Sequence, residues 1–160
     1  MSARCNHETI NFLNKQVVKI EKAVLSKVKL QEAYKKLLTV PGIGKILAIT
    51  IMLETGNIRR FREVGNYSSY CRCVSSTKFS NGKNKGKGNK KNGNRYLAWA
   101  YIEASLFARR YSSEAQRWYQ RKMSKSNRMV AAKALSNKIA RACYYIMRDQ
   151  VPYDSAKVFQ

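Results

Sequence analysis

Leu38-Thr39-Val40-Pro41-Gly42-Ile43-Gly44-Lys45, running on through I-L-A-I-T-I-M-L-E-T to Gly56, is the stretch whose reading decides the fold. Pro41 disfavours helix in the residue before it and so stops whatever helix precedes. Gly42 and Gly44 permit a tight turn with positive φ. Lys45 to Glu54 reads as a very apolar helix, and Gly56 stands where its C-cap would. Helix, turn and apolar helix in direct succession predict an all-α (mainly α) protein.

Outward from this stretch the same periodicity recurs. From about Glu8 to Leu38 there is neither Pro nor Gly. Ile10, Leu13, Val17, Ile20 and Val24 repeat at alternating spacings of three and four, a heptad seam that shifts phase at Lys27 and resumes through Leu30, Tyr34 and Leu37. Such a helix either packs on its own domain or pairs with another chain as a coiled coil. On the C-terminal side, Asn57 to Tyr70 reads as a turn leading into a short helix. Asn94 to Arg110 reads as a helix with Leu97, Ala98, Tyr101, Ala104 and Leu106 on its buried side. Ser112-Ser113-Glu114 is an N-cap with an acid in the first turn, opening a helix to about Met123. A last helix spans about Asn127 to Asp149, with Met129, Ala132, Leu135, Ile139, Ala142, Cys143 and Ile146 on its apolar side. The expected division is a coiled-coil helix over 1–38 and a helical domain over 39–160.

Between the helices lies S-S-T-K-F-S-N-G-K-N-K-G-K-G-N-K-K-N-G-N-R, Ser75 to Arg95. Its one large apolar residue is Phe79, so it has little to bury against its ordering entropy and reads as a loop. Gly82, Gly86, Gly88 and Gly93 let backbone amides approach a bulky anion, and Lys78, Lys83, Lys85, Lys87, Lys90, Lys91 and Arg95 supply the charge. Thirty-two Lys and Arg against nine Asp and Glu give +23, and no acid occurs between Val64 and Ile102. That imbalance points to a polyanionic partner, a nucleic-acid backbone before a membrane surface, since no apolar run reaches the roughly 20 residues of a spanning helix. The opening residues lack the apolar core of a signal peptide, and a cytoplasmic protein is expected. Cys5, Cys71, Cys73 and Cys143 with His7 lack zinc-site spacing, so reduced thiols and no metal site are expected.

The Pro-Gly-Ile-Gly turn with its flanking helices, about 38–56, resembles a helix-hairpin-helix element. In that element the turn's backbone amides, here Gly42, Ile43, Gly44 and Lys45, bind a DNA phosphate. The alternative is a plain tight connection between two core helices.

Four blocks in order carry a wider resemblance: L-L-T-V-P-G-I-G-K-I-L-A-I-T-I-M-L-E-T-G-N-I-R-R-F, Y-C-R-C-V-S-S-T-K-F-S-N-G-K, G-N-R-Y-L and I-A-R-A-C-Y-Y-I-M-R-D-Q-V-P-Y-D. From about Leu37 to Asp154 the chain resembles the C-terminal transposase domain of the IS-110/IS-1111 group of insertion-sequence transposases, and the preceding helix is similar to that family's coiled-coil segment. The resemblance implies a DNA recombinase directed by a guide (bridge) RNA. It pairs an N-terminal RuvC-like domain with this domain, which carries a serine nucleophile in a Ser-Gly-Gly or Ser-Ser-Gly turn after Gly-Leu-x-Pro. The matching position is Ser80. Two departures stand out: Arg72-Cys73-Val74-Ser75 replaces Gly-Leu-Val-Pro, and Asn81 replaces a glycine. The expectation is the C-terminal part of a longer recombinase, with Mg²⁺ needed only by the RuvC-like domain and no cofactor within this chain. Partners are expected to be DNA, guide RNA, and another copy or a full-length transposase through the coiled coil. The alternative is a non-catalytic nucleic-acid-binding remnant or regulator, for which Ser80 is an ordinary loop hydroxyl.

Overall fold

The computed structural model describes residues 2–28, 31–74, 77–87 and 92–159. The chain divides into two compact units, Met1–Glu32 and Ala33–Gln160. The first is helix α1, Ser2–Val28. On it Ile10, Leu13, Val17 and Ile20 are each between 51% and 63% exposed, with Phe12 and Val18 exposed beside them.

The expected helix to Leu38 is interrupted. Gln31 is not helical, and α2, Glu32–Leu37, is a separate short helix. Leu30, one of the residues of the resumed seam, lies outside the described residues. The boundary falls ahead of Leu38 because Tyr34 and Leu37 are core residues of the second unit.

Among the described residues that unit is all-α apart from one hairpin. After α2 come α3 (Lys45–Thr55), a 3₁₀ turn at Ile58–Arg60, and α4 (Val64–Tyr70). Strands β1 (Thr77–Ser80) and β2 (Lys83–Lys87) follow, then α5 (Arg95–Tyr111), α6 (Ser113–Ser124), α7 (Arg128–Asp149) and α8 (Ser155–Phe159). Three of the long helices start where a short polar side chain can satisfy a free first-turn N–H. Asn94 accepts from Tyr96 and Leu97, Ser112 from Ala115, and Asn127 from Val130. Helix α5 packs on α3, α6 and α7, and α4 lies on α7.

Tyrosines fill much of the core. Tyr67, Tyr101 and Tyr144 are fully buried beside Leu37, Ile51, Leu97, Leu135 and Ile139. Their hydroxyls are satisfied internally, as burial requires. The Tyr67 hydroxyl lies 2.6 Å from that of Tyr101 and 2.9 Å from Thr55 Oγ1, and Tyr144 donates to the carbonyl of Phe61 at 3.0 Å. Met129, expected on the apolar side of α7, is instead 80% exposed in that helix's first turn. The buried stripe begins at Ala131, so periodicity extended one turn beyond the covering helices. The short α8 is a further element that the sequence reading did not anticipate; Phe159 in it meets Trp118, and Val158's carbonyl accepts from Lys138.

Candidate nucleic-acid interface and serine hairpin

The basic segment expected as a loop folds back on itself as an antiparallel hairpin, with Thr77 opposite Lys87, Phe79 opposite Asn84 and Ser80 opposite Lys83. Its turn is Asn81-Gly82, at φ 52° and 71°. Positive φ at both central residues is the geometry of a two-residue hairpin turn, for which Asn-Gly is the strongest sequence signal. That dipeptide was readable in the sequence. It carries no apolar alternation on either side, so a search for hydrophobic periodicity passes over it. Between Asn84 and Lys87 strand β2 has one residue more than β1 spans, and Gly86, at φ 104°, takes the bulge.

Cross-strand partners share a face of the hairpin, and so do residues two apart on one strand. Ser80 and Lys83 are therefore neighbours on one face at the exposed turn, with exposed Lys85 next along it. Lys78 and Lys87 belong to the strands; Lys90 and Lys91 lie outside the described residues. Arg95 is the first residue of α5, exposed, stacked 4.8 Å over the ring of Tyr96 and donating to its hydroxyl at 2.7 Å.

The hairpin's root is built tightly. Arg72 donates from Nε and Nη2 to the carbonyl of Gly93, at 3.1 and 2.8 Å, and Lys133 of α7 donates to the carbonyl of Arg72. The Asn94 amide donates to the carbonyl of Tyr70 at 2.7 Å. The Asn94 side chain, besides capping α5, donates to Glu54 Oε2 at 2.6 Å, tying the end of α3 to the start of α5. Gly93, at φ 94°, sits so close to α4 that a Cβ there would fall 2.4 Å from the Tyr70 carbonyl oxygen. None of Arg72, Gly93 or Asn94 as clamp residues was legible as such, because their partners are distant in sequence and meet only in the fold.

Arg60 lies 4.6 Å over the ring of Phe61 and 4.7 Å over that of Tyr70. Hydrogen bonds from Asn94 and Arg60 hold the Tyr70 phenol below its ordinary pKa. Cys71 and Cys73 are buried beneath the same root, and burial pushes both thiols up, so they stay protonated at neutral pH and are poor nucleophiles. Cys5, Cys71, Cys73 and Cys143 are free thiols. Among the described residues no three His, Cys, Asp or Glu side chains are grouped so as to hold a metal ion.

The Pro-Gly-Ile-Gly turn lies between α2 and α3, as its sequence predicts. Ile43 is 5% exposed and its amide donates to the carbonyl of Val40 at 3.0 Å, so that N–H is occupied internally. Gly42, at φ 89°, presses the turn onto α5. Gly44 and Lys45 are exposed, and N-cap Gly44 offers the first turn of α3 no capping side chain. A largely apolar cleft of about 580 Å³ runs along the turn, closed on one side by the stacked pair Phe107 and Tyr111. Lys45 is the cation among its lining residues.

Residues 34–120 match the model of the transposase IS116/IS110/IS902 family. The match takes in more than half of the chain, from α2 through the hairpin to α6, and the chain belongs to this family. It is also similar to the transposase for insertion sequence element IS1328 of Yersinia enterocolitica, 24% identical over 144 residues. That alignment covers 88% of this chain and 43% of the relative, so the chain spans less than half the length of the curated protein it matches. No helix among the described residues is long and apolar enough to cross a membrane.

Proposed function

We propose that the chain is the DNA-engaging part of a transposase that acts in transposition and recombination, and that its basic hairpin presents Ser80 as the nucleophile for strand cleavage and rejoining. The observation that carries this reading is where the two departures from the family motif fall. Arg72 and Asn81 stand where glycines are usual, and both have left-handed backbones, φ 54° and 52°. The glycine-type backbone at both positions, one just past the end of α4 and one in the hairpin turn, is thus kept under other side chains. Asn accepts that conformation readily, and Arg72 offsets its strain through the bonds to Gly93.

In the proposed step Ser80 Oγ forms a bond to the phosphorus of a DNA phosphodiester. The bond from phosphorus to one sugar oxygen breaks, and that oxygen leaves as a hydroxyl. The ester conserves the bond energy, so the reverse attack by another strand's hydroxyl rejoins DNA and frees the serine. Lys83, across the turn, neutralises charge building on the phosphorane oxygens. The serine proton needs an acceptor. We assign that role to a RuvC-like domain acting with this chain. The chain alone is then a DNA binder that does not cut, and a guide RNA selects the target. Phosphate contact at the Pro-Gly-Ile-Gly turn falls to the amides of Gly44 and Lys45, with Gly42 and Ile43 shaping the turn from within.

Binding is tested by its salt dependence. Affinity for duplex DNA should fall steeply with salt, and replacing Lys83, Lys85, Lys87, Lys90 and Lys91 with Gln should reduce the slope of log K against log salt by about four. An unchanged slope moves the binding surface off the hairpin.

The exposed seam of α1 is the proposed surface for self-association or for pairing with a full-length transposase. Covering Val17 and Ile20 contributes about 2–4 kcal/mol per chain. Sedimentation should therefore show an oligomer for the wild-type chain and a folded monomer for Val17→Asp with Ile20→Asp. A wild-type monomer at micromolar concentration contradicts the coiled coil.

A further inference from the structure

We infer a second nucleic-acid contact at the corner between α6 and α7, where the phosphodiester backbone of a double helix, once engaged by the hairpin, is held by Arg121, Lys122, Lys125 and Arg128. The inference rests on the nucleic-acid reading above and extends it to residues outside the segment matched by the family model. Every residue from 121 to 130 is exposed, and no acid occurs between Glu114 and Asp149.

Local helix electrostatics explain only half of this cluster. Arg121 and Lys122 lie in the last turn of α6, where cations complement the helix dipole. Arg128 opens α7, whose first turn has no acid, and a cation there opposes the dipole. Lys125, in the connection, adds a like charge beside it. An anion outside the protein resolves both conflicts.

The corner opens the same helix that braces the hairpin's root. Lys133, about one and a half turns or 7–8 Å along α7 from Arg128, donates to the carbonyl of Arg72, whose guanidinium clamps Gly93. Exposed Met123, Met129 and Val130 at the same corner would also suit an anionic lipid surface, and the test includes that outcome.

The test is the full chain carrying Arg121→Gln, Lys122→Gln, Lys125→Gln and Arg128→Gln, compared with one carrying Lys15→Gln, Lys19→Gln, Lys22→Gln and Lys27→Gln, which removes equal charge from α1. Binding to duplex DNA and to an RNA hairpin is measured by fluorescence anisotropy across a salt series, with circular dichroism confirming that both variants fold. The corner variant should lose about tenfold or more in affinity for one duplex or both, and its salt slope should fall by about three to four, well beyond the α1 variant. Which duplex loses affinity identifies the strand type that lies there. Equal losses in the two variants would reduce the corner to long-range charge and overturn the proposal. Wild-type binding by the corner variant, with the hairpin variant still weakened, overturns it while leaving the function above intact; if neither is weakened, that reading falls as well. Wild-type duplex binding together with lost binding to phosphatidylserine–phosphatidylcholine vesicles assigns the corner to a lipid surface.

Discussion

Alanine at Gly42 should destabilise the second unit by about 2–5 kcal/mol, the sum of a left-handed backbone at a residue with a Cβ, about 1–2 kcal/mol, and overpacking, about 1–3 kcal/mol. The second contribution arises because the new Cβ would lie 2.4 Å from the carbonyl oxygen of Ala104 and 2.5 Å from the amide nitrogen of Ala108. Both are backbone atoms of α5 and cannot rotate away. Gly56 tests conformation alone, since at φ 60° and ψ −133° it holds a backbone that favours glycine but has open space where its Cβ would be. Gly56→Ala should therefore cost about 1–3 kcal/mol, with no overpacking added. Chemical unfolding of the two variants under one set of conditions gives the comparison. Equal costs would mean that the turn is not seated on α5 as described. The consequence reaches the proposed phosphate contact, because the turn that Gly42 seats on α5 leaves Gly44 and Lys45 exposed.

The helices were readable because their ends are written in residues with local effects. Asn94, Ser112 and Asn127 cap where short polar side chains should, and Gly56 ends α3 with its amide bonded to the Met52 carbonyl. The long N-terminal helix was over-extended, since nothing local breaks it. What separates α2 is the burial of Tyr34 and Leu37 in a core assembled from distant residues. The hairpin was read as a loop for a related reason. Strand pairing there is backbone hydrogen bonding closed by an Asn-Gly turn, and Lys, Asn and Gly on the strands leave no apolar trace. Ser80 was placed through family resemblance alone. Composition could say that the segment is basic, and could not say that its register sets Ser80 opposite Lys83.

Ser80→Ala should abolish any covalent protein–DNA adduct while changing binding by less than about threefold. One neutral hydroxyl contributes about 0.5–1.5 kcal/mol at most, and on an exposed turn beside several lysines its share is at the lower end. The chain alone should bind DNA and form no adduct. With a RuvC-like domain supplied in trans, guide RNA and Mg²⁺, wild-type chain should form a species that survives denaturing electrophoresis. Ser80→Thr is an informative companion, since it keeps a hydroxyl but adds a methyl group at the closing position of the turn, and it should react more slowly and bind normally.

The site of that adduct decides the central claim. Trypsin cuts after Lys78 and Lys83, and the peptide between them is Phe79-Ser80-Asn81-Gly82-Lys83, in which Ser80 carries the one hydroxyl. Mass spectrometry of the nuclease-trimmed, trypsin-digested adduct should find the nucleotide on this peptide. A nucleotide on Cys73–Lys78, which holds Ser75, Ser76 and Thr77, or on any peptide elsewhere, would contradict the assignment of Ser80 as the nucleophile.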